Sequence, residues 1–215
     1  MSRIKIVSLD LEGTLVTPDF SRCVWHEGLP ALYARRHGLS FDEAKAEVER
    51  QYDEVGDGRC EWYDIKYWFQ RFKLDDYTSL LTGYRDKVIY YPEVRRALAS
   101  LRQSYLLVIS SGSSREFMPY LLVQNGRCFT RVFSSISDYG KLKTPEFYLT
   151  VCREMGVSPA EVAHVGDSWR YDFLSPGEAG LRAYYLDRSQ QAERANSVFS
   201  LDNLVSRLDS IPRLR

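Results

Sequence analysis

The 215-residue chain lacks the excess of positive charge that is typical of proteins that bind nucleic acids or anionic membranes. It has no excess of positive charge, because 29 Lys and Arg residues are balanced by 29 Asp and Glu residues. No run of basic residues concentrates positive charge locally either. Nucleic acids and anionic membrane surfaces attract proteins mainly through such an excess. We therefore expect no nucleic-acid partner and no membrane partner.

Long apolar runs and paired cysteines are also missing. No segment approaches the roughly 20 apolar residues that a membrane-spanning helix needs. The opening segment, MSRIKIVSLDLEGT, has neither the apolar stretch nor the small-residue cleavage site of a signal peptide. The four cysteines form no C-x-x-C pair, so we expect reduced thiols, with a disulfide as the minor alternative. These observations predict a soluble, cytoplasmic protein.

Short apolar runs are present, and each is followed by a turn and then by a helical pattern. The runs cover residues 4–9, 106–109, 131–133, 162–165 and 183–186. Helical patterns cover residues 92–101, 114–125 and 145–155, and glycine follows the last two. Buried strands that alternate with helices predict an α/β fold with a doubly wound, Rossmann-like parallel sheet.

One long stretch, residues 17–90, has helical periodicity but no strand pattern. Ser40 and Glu43 form a capping box at the start of a helix. The apolar stripe of this helix is predicted to consist of Phe41, Ala44, Val48 and Tyr52. We predict a helical insertion over residues 17–90 and a core domain built from residues 1–16 and 91–215. The insertion is rich in aromatic residues; we expect most of them to form its own core and a few to line a substrate pocket.

Acidic residues follow two of the predicted strands. Asp10 and Glu12 end the first strand, and Gly13 allows the chain to turn sharply there. Asp167 follows residues 162–165, and Asp172 lies five residues later. Ligands of open parallel sheets bind at the carboxyl ends of strands, where these carboxylates could converge on one Mg²⁺ ion. Each segment taken alone is equally typical of an ordinary polar turn or helix cap.

Two further segments fit an anionic ligand. Ser110, Ser111 and Gly112 end the second long strand and offer a hydroxyl and backbone N–H groups to an anion. Lys141 and Lys143 precede the helix that begins at Pro145, although such lysines are more often solvated surface charges. His164, inside a strand, is interpreted as a core histidine.

The order of these four segments along the chain resembles the motif series of the haloacid dehalogenase superfamily. The resemblance covers essentially the whole chain, and residues 17–90 look like the first type of cap found in that family. It implies that Asp10 is the nucleophile that becomes phosphorylated. Glu12 occupies the position of the general acid and base, where most family phosphatases carry aspartate. Dehalogenase members have a different residue there and need no metal, so an acid at this position favours phosphoryl transfer.

The resemblance also implies the remaining roles. Mg²⁺ would be held by Asp10, the Glu12 backbone carbonyl and Asp167, with Asp172 as a ligand or supporting acid. Ser110 would bind a phosphoryl oxygen through its hydroxyl, and Ser111 and Gly112 through their backbone N–H groups. Lys143 is preferred to Lys141 because it lies closer to Pro145, although the usual Lys-Pro pair is absent.

The expected function is that of a Mg²⁺-dependent phosphatase acting on a small phosphorylated metabolite. Three alternatives stay open: a phosphotransferase or mutase with the same intermediate, a signalling receiver domain, which the motif order disfavours, and a non-catalytic scaffold that binds a partner through its cap. The candidates for contact with the substrate from the cap are Arg22, His26, Trp62 and Lys66.

Overall fold

The computed structural model describes residues 3–191 and 196–210. Its six strands form one parallel sheet with the order β3-β2-β1-β4-β5-β6. The strands are β1 (Ile6–Leu9), β2 (Leu106–Ser111), β3 (Arg131–Ser134), β4 (Val162–Gly166), β5 (Arg182–Leu186) and β6 (Ser197–Val198). The doubly wound α/β fold that the sequence predicts is thereby confirmed. β6 was not predicted, since two residues are too few to show a strand pattern.

Helices connect the strands and cover the sheet. They are α1 (Asp19–Cys23), α2 (Leu29–His37), α3 (Phe41–Val55), α4 (Ile65–Arg71), α5 (Tyr77–Gly83), α6 (Val94–Leu101), α7 (Met118–Leu121), α8 (Ser135–Tyr139), α9 (Pro145–Met155), α10 (Ser175–Glu178) and α11 (Leu201–Asp209). Two π-helical turns cover Val24–Gly28 and Trp169–Leu174. Short 3₁₀ turns cover Cys60–Tyr63, Arg85–Lys87, Gly126–Cys128 and Pro159–Glu161.

Alternate residues of each strand enter two different apolar clusters, as the period of a strand requires. Val7 and Leu9 of β1 pack in the cluster that includes α6, α11 and the helices that follow β1. Ile6 packs in the other cluster with Phe147 and Tyr148 of α9. The sheet is therefore buried on both faces, which explains why its strands read as nearly continuous apolar runs.

The part of the chain between β1 and α6 contains five helices, α1 to α5, and no strand of the sheet, as the helical periodicity of residues 17–90 predicts. Its two connections to the rest of the chain run side by side. Val16 forms an antiparallel bridge with Tyr90, and the Thr17 amide donates to the Ile89 carbonyl at 2.8 Å. Both ends of the predicted insertion lie in this paired segment.

Two details of the helix predictions are wrong. Residues 114–125 were predicted to form one helix, but only Met118–Leu121 is α-helical. Pro119 lies in the first turn of this helix, and proline disrupts a helix that continues on its N-terminal side. In α3 the residues Ala44, Val48 and Tyr52 are buried as predicted, whereas Phe41 is 43% exposed.

The structure can be compared with two further expectations, which concern the cysteines and membrane-spanning helices. All four cysteines are free thiols, in agreement with the expected reduced state. Within residues 3–191 and 196–210, no helix combines the length and the apolar character needed to cross a bilayer.

Candidate active site

Asp10 directly follows β1, the strand in the middle of the sheet between β2 and β4. Its amide donates to the Val165 carbonyl of β4 at 3.0 Å, so the backbone pairing of β1 with β4 fixes the position of Asp10. The side chain is buried, with 7% exposure. Gly13 turns the chain immediately afterwards with φ +74°, a conformation that side chains rarely adopt.

Asp167 and Asp172 lie beside Asp10 because β4 is the neighbour of β1. The three residues can each place one carboxylate oxygen within 4.8 Å of the others. Asp172 is buried, whereas Asp167 is exposed at the mouth of the site. Three hard oxygen donors from two strand ends and the following turn fit a divalent cation such as Mg²⁺.

Two glycines make this approach of acids possible. A Cβ atom on Gly13 would lie 1.9 Å from Asp167 Oδ2, and one on Gly166 would lie 2.3 Å from Asp172 Cγ. Both distances are far below any real contact, so glycine is needed at both positions for reasons of space. The turn at Gly13 was predicted from the sequence. The steric role of Gly166 was not, because it depends on the position of Asp172 in the fold.

Lys143 is the one of the two candidate lysines that reaches the acids. Its ammonium group is buried and donates to Asp10 Oδ1 at 2.8 Å and to Asp172 Oδ1. Lys141 is exposed at the surface. The difference arises because Lys143 immediately precedes Thr144, the N-cap residue of α9, which packs beneath the ends of β1 and β4.

Asp172 forms a hydrogen bond with a buried histidine of β4, His164. His164 is fully buried, and its Nε2 atom lies 3.0 Å from Asp172 Oδ1 while Nδ1 lies 2.9 Å from Ser8 Oγ. Burial lowers the pKa of His164 and favours the neutral ring. An ionised carboxylate only accepts hydrogen bonds, so the ring proton belongs on Nε2. His164 is thus a core histidine, as predicted, with an additional part in fixing the orientation of Asp172.

Glu12 is held at both carboxylate oxygens by serine hydroxyls. Ser21 of α1 donates to Oε1, and Ser113, from the loop after β2, donates to Oε2 at 3.0 Å. Burial raises the pKa of Glu12 to about 7 despite these two hydrogen bonds. A carboxyl group with such a pKa can both give and take a proton near neutral pH, which general acid and base catalysis requires.

The cluster contains more acidic than basic side chains, because Asp10, Asp167 and Asp172 lie beside the single lysine Lys143. Burial opposes the charge of Lys143, but Asp10 and Asp172 outweigh it and raise the pKa of the ammonium group. Burial raises the pKa of Asp10, and Lys143 only partly reverses this effect. Asp167 is open to solvent at its surface, but desolvation by the surrounding protein, followed by the charges of Asp10 and Asp172, raises the pKa of its carboxyl group to about 7. A divalent cation among these carboxylates would favour their ionised forms.

Ser110 is placed differently from the expectation. Its register in the sheet puts it on the same face as Ser8, and the two hydroxyl oxygens lie 2.8 Å apart in the buried interior. Ser111 and Gly112 instead line the cavity above Asp10, together with Ser113. Successive side chains of a strand point to opposite faces, so the choice between two adjacent serines depends on register. The sequence did not contain that information.

The cavity above these residues has a volume of about 180 Å³. Its floor is formed by the acids and Lys143, and part of its wall comes from the helical segment between β1 and β2. Trp25 and Tyr63 are the aromatic residues of that segment that line it, and Phe117 and Tyr171 are lining aromatic residues from outside the segment. None of the four predicted contact residues of the cap lines this cavity in the described chain. These four were Arg22, His26, Trp62 and Lys66.

Comparison with known proteins identifies the family. A sequence model of haloacid dehalogenase-like hydrolases matches residues 4–180, which is most of the chain. The chain belongs to the haloacid dehalogenase-like hydrolases. The phosphoglycolate phosphatase of Chromobacterium violaceum is 30% identical over 186 residues, with 78% of each chain covered. The GMP/IMP nucleotidase YrfG of Escherichia coli is 29% identical over 72 residues, which is only 34% of this chain and 32% of the nucleotidase.

Solved structures of the haloacid dehalogenase superfamily share the fold over nearly the full length. A HAD phosphatase from Thermococcus onnurineus has a TM-score of 0.83 at 25% identity, covering 95% of this chain and 98% of that one. L-2-haloacid dehalogenase from Xanthobacter autotrophicus has a TM-score of 0.67 at 17% identity, covering 97% and 100%. The second likeness concerns the fold alone.

One residue of this haloacid dehalogenase-like hydrolase supports the site from outside the four motifs. Arg188, which follows β5, donates to the Gly13 carbonyl at 3.0 Å, to the Thr14 carbonyl at 2.6 Å and to Glu93 at 2.7 Å. Its guanidinium lies 3.4 Å from the ring centroid of Tyr91. No local sequence pattern indicates this role of Arg188, because its partners are backbone carbonyls that only the folded loop brings together.

Proposed function

We propose that this hydrolase is a Mg²⁺-dependent phosphatase that hydrolyses a small phosphate monoester through an aspartyl-phosphate at Asp10. The observation that carries the proposal is the buried Asp10 carboxylate, which Lys143 orients at 2.8 Å beside two further acids at a strand end. The phosphatase names of relatives from Chromobacterium violaceum and Thermococcus onnurineus support the same reaction class.

In the first half-reaction Asp10 attacks phosphorus. Lys143 fixes the carboxylate by donating to Oδ1, which leaves the other oxygen available to form the new O–P bond. As that bond forms, the ester P–O bond breaks, and protonated Glu12 gives its proton to the departing alkoxide. The serines that hold Glu12 from both sides keep its carboxyl group close to the leaving oxygen.

In the second half-reaction water replaces the enzyme at phosphorus. Glu12, now ionised, takes a proton from the water as the water oxygen bonds to phosphorus and the bond to Asp10 breaks. Inorganic phosphate leaves, and both carboxyl groups return to their starting states. The phosphoryl oxygens are bound in this proposal by the Ser111 hydroxyl and the backbone N–H groups of Ser111 and Gly112, since these residues line the cavity and Ser110 does not.

The implied metal fits the residues that are present. Asp10 and Asp167 would be its carboxylate ligands, the Glu12 carbonyl would be a backbone ligand, and Asp172 would support the site. When bound, Mg²⁺ would neutralise the repulsion between an anionic nucleophile and an anionic phosphate. Lys143 alone cannot do so, because it already faces two carboxylates.

The proposal is tested with p-nitrophenyl phosphate. We expect phosphate release in the presence of Mg²⁺, loss of activity in EDTA, and recovery when Mg²⁺ is restored. Asp10→Asn should abolish turnover, since the amide is not a nucleophile towards phosphorus. Asp138→Asn is the matched control, because Asp138 pairs with Arg115 outside the cavity. Undiminished activity of Asp10→Asn would refute the assignment of the nucleophile.

Two other outcomes correspond to the alternative functions. Transfer of phosphate to an added alcohol at a rate that exceeds hydrolysis would favour a phosphotransferase. Absence of turnover with every ester, combined with tight binding of a protein partner through the helical cap, would favour a scaffold.

A further inference from the structure

The walls of the active-site cavity contain very little positive charge. Among the described residues that line it, Lys143 is the only lysine or arginine. Lys143 is buried between Asp10 and Asp172, so its charge is already matched by these acids. Glu12 and Asp167 add two more carboxyl groups to the same cavity. A second anionic group on a bound ester would therefore find no further lysine or arginine to pair with among the described residues that line the cavity.

The basic residues of the cap that were expected to contact the substrate do not line the cavity. Arg22 of α1 pairs with Asp19 at 2.6 Å, and His26 lies 3.5 Å from Glu49. Lys66 of α4 pairs with Glu116 at 2.8 Å. Arg170, which is exposed, packs over the ring of Tyr171 at 5.2 Å from the ring centroid but is not itself a lining residue.

The upper part of the cavity is aromatic instead. Trp25 stacks on Phe117, with ring centroids 5.5 Å apart and planes inclined by 21°. Tyr63 and Tyr171 line the cavity as well. Aromatic rings stabilise apolar or planar groups that pack against them, and the contact is independent of any second charge on the ligand. The hydroxyls of Ser114 and Ser168 provide neutral hydrogen-bonding groups beside them.

We propose that the substrate is the phosphate monoester of an alcohol that carries no second anionic group and offers an apolar or planar face to these rings. This inference rests on the proposed phosphatase function and concerns the leaving group that the same site accepts. It separates the chain from the substrate named for its relative in Chromobacterium violaceum, since glycolate carries a carboxylate next to the phosphoryl group. A carboxylate that loses its water in a partly buried site without gaining a cationic partner is bound less well, and this difference can decide specificity.

The charge of the leaving group is tested with two esters of the same shape, 2-phosphoglycolate and its carboxamide. Each is assayed for phosphate release by the full-length enzyme with Mg²⁺. We expect kcat/KM to be at least about tenfold higher for the carboxamide, because no lysine or arginine among the described lining residues is free to pair with the carboxylate. Equal values, or a preference for 2-phosphoglycolate, would overturn the proposal.

The aromatic wall is tested with a second pair, benzyl phosphate and ethyl phosphate, which both release a primary alkoxide. We expect benzyl phosphate to have a higher kcat/KM by about tenfold, from the burial of its ring. A preference for ethyl phosphate would contradict the part of the proposal that assigns an apolar face to the substrate.

A gain of function provides an independent test. Tyr63→Arg places a cation on the cavity wall, so the preference for the carboxamide over 2-phosphoglycolate should fall by about tenfold. Tyr77→Arg is the matched control, because Tyr77 is also a half-buried tyrosine of the cap with an edge contact to one ring, but lies outside the cavity. The control should keep the wild-type ratio. An unchanged ratio in Tyr63→Arg would count against the proposal.

Failure of this inference differs from failure of the proposed function. Turnover of both esters with 2-phosphoglycolate preferred leaves the phosphatase function intact and refutes only the substrate class. No release from any of these esters or from p-nitrophenyl phosphate refutes the phosphatase function, and the inference falls with it.

Discussion

Glu12, the proposed proton-transfer group, is held in position by side chains from two parts of the chain. Glu12 receives one hydrogen bond from Ser21 in α1 and one from Ser113 after β2. A glutamate side chain is longer by one methylene than the aspartate that most family phosphatases carry here, so it has one more torsion to restrain. The two serines supply that restraint from opposite sides. The position of the carboxyl group is therefore a property of three residues.

Glu12→Gln tests the proton transfer itself. The amide keeps the size and the contacts with the serines but cannot donate an acidic proton, so kcat/KM should fall by about 100-fold or more. The loss should be larger for benzyl phosphate than for p-nitrophenyl phosphate, because p-nitrophenolate leaves without protonation. Equal losses on the two esters would show that Glu12 does not protonate the leaving group.

Ser21→Ala tests the positioning of Glu12 from the cap. Loss of the hydrogen bond should lower kcat by about tenfold, consistent with about 1 kcal/mol for one hydrogen bond, and leave KM nearly unchanged. Ser21→Thr, which retains the hydroxyl, should restore most of kcat. Ser206→Ala is the control, because Ser206 bonds only to the backbone of its own helix, α11. A change confined to KM would argue for substrate contact instead of positioning.

At the level of single residues the sequence predicted the acids and the lysine but not their surroundings. Asp10 and Asp167 lie together because both end adjacent parallel strands, and that adjacency follows from the fold class. Whether Ser110 or Ser111 faces the cavity depends on the register of β2 in the sheet. The contacts of Ser21 and Ser113 with Glu12 depend on how the helical segment packs on the rest of the chain. Neither property follows from a local sequence pattern.

The loop after β1 is stabilised by an element at a distance in sequence. Residues 10–14 carry the nucleophile and the turn at Gly13, and Arg188 from the end of β5 binds two of their carbonyls. The side chain of Arg188 is 20% exposed and also pairs with Glu93. The connection from β5 thus holds the loop of β1 against the start of α6. This arrangement favours one conformation of the nucleophile loop.

Arg188→Ala should destabilise the protein by about 1.5–3 kcal/mol, the range for hydrogen bonds to charged groups, and should also lower kcat. The measurements are urea unfolding and phosphate release. Arg96→Ala is the matched control, since Arg96 pairs only with Asp202 on the surface and is 70% exposed. That control should cost less than about 1 kcal/mol. An effect of Arg188→Ala no larger than that of Arg96→Ala would exclude the proposed support.

At the level of elements, long periodic segments were predicted well and short or proline-containing ones were not. The helix Pro145–Met155 has the predicted bounds, with Gly156 in the left-handed conformation after it. Residues 114–125 show apolar periodicity, but Pro119 in the first turn prevents the helix from extending towards Ser114, and only Met118–Leu121 is α-helical. The strand β6 is recognised only through its pairing with β5, which is a tertiary property.

The proposed catalytic groups lie where the carboxyl ends of the strands meet the helical segment 17–90. The ends of β1 and β4 supply Asp10 and Asp167, the turn before α9 supplies Lys143, and the helical segment supplies Ser21, Trp25 and Tyr63. The paired connections at Val16 and Tyr90 hold these two parts at a fixed spacing on one side. The fold class and the helical nature of this segment were predictable from periodicity. The cavity walls were not, because they depend on how the two parts pack.

We expect the acid cluster to make the stability of the whole molecule depend on a cation. Three carboxyl groups lie beside one lysine, so their mutual repulsion should lower the stability of the fold until a divalent ion binds. An ion that binds only the folded state at 100 times its Kd adds about 2.7 kcal/mol to stability. For a chain of this size we expect saturating Mg²⁺ to raise the midpoint of thermal unfolding by about 5–10 °C relative to EDTA.

Asp167→Asn separates this linkage from a general effect of salt. The substitution removes a repelling charge and a ligand together, so its melting temperature in EDTA should equal or exceed that of the wild type, and Mg²⁺ should no longer raise it. Asp86→Asn should respond to Mg²⁺ as the wild type does, because Asp86 is a surface acid that is 93% exposed and pairs with Arg85 at 3.7 Å. Calcium and potassium chloride at matched ionic strength distinguish a specific ion from screening. A full Mg²⁺ shift in Asp167→Asn would remove Asp167 from the metal site, because a ligand cannot be lost without weakening the ion that it holds.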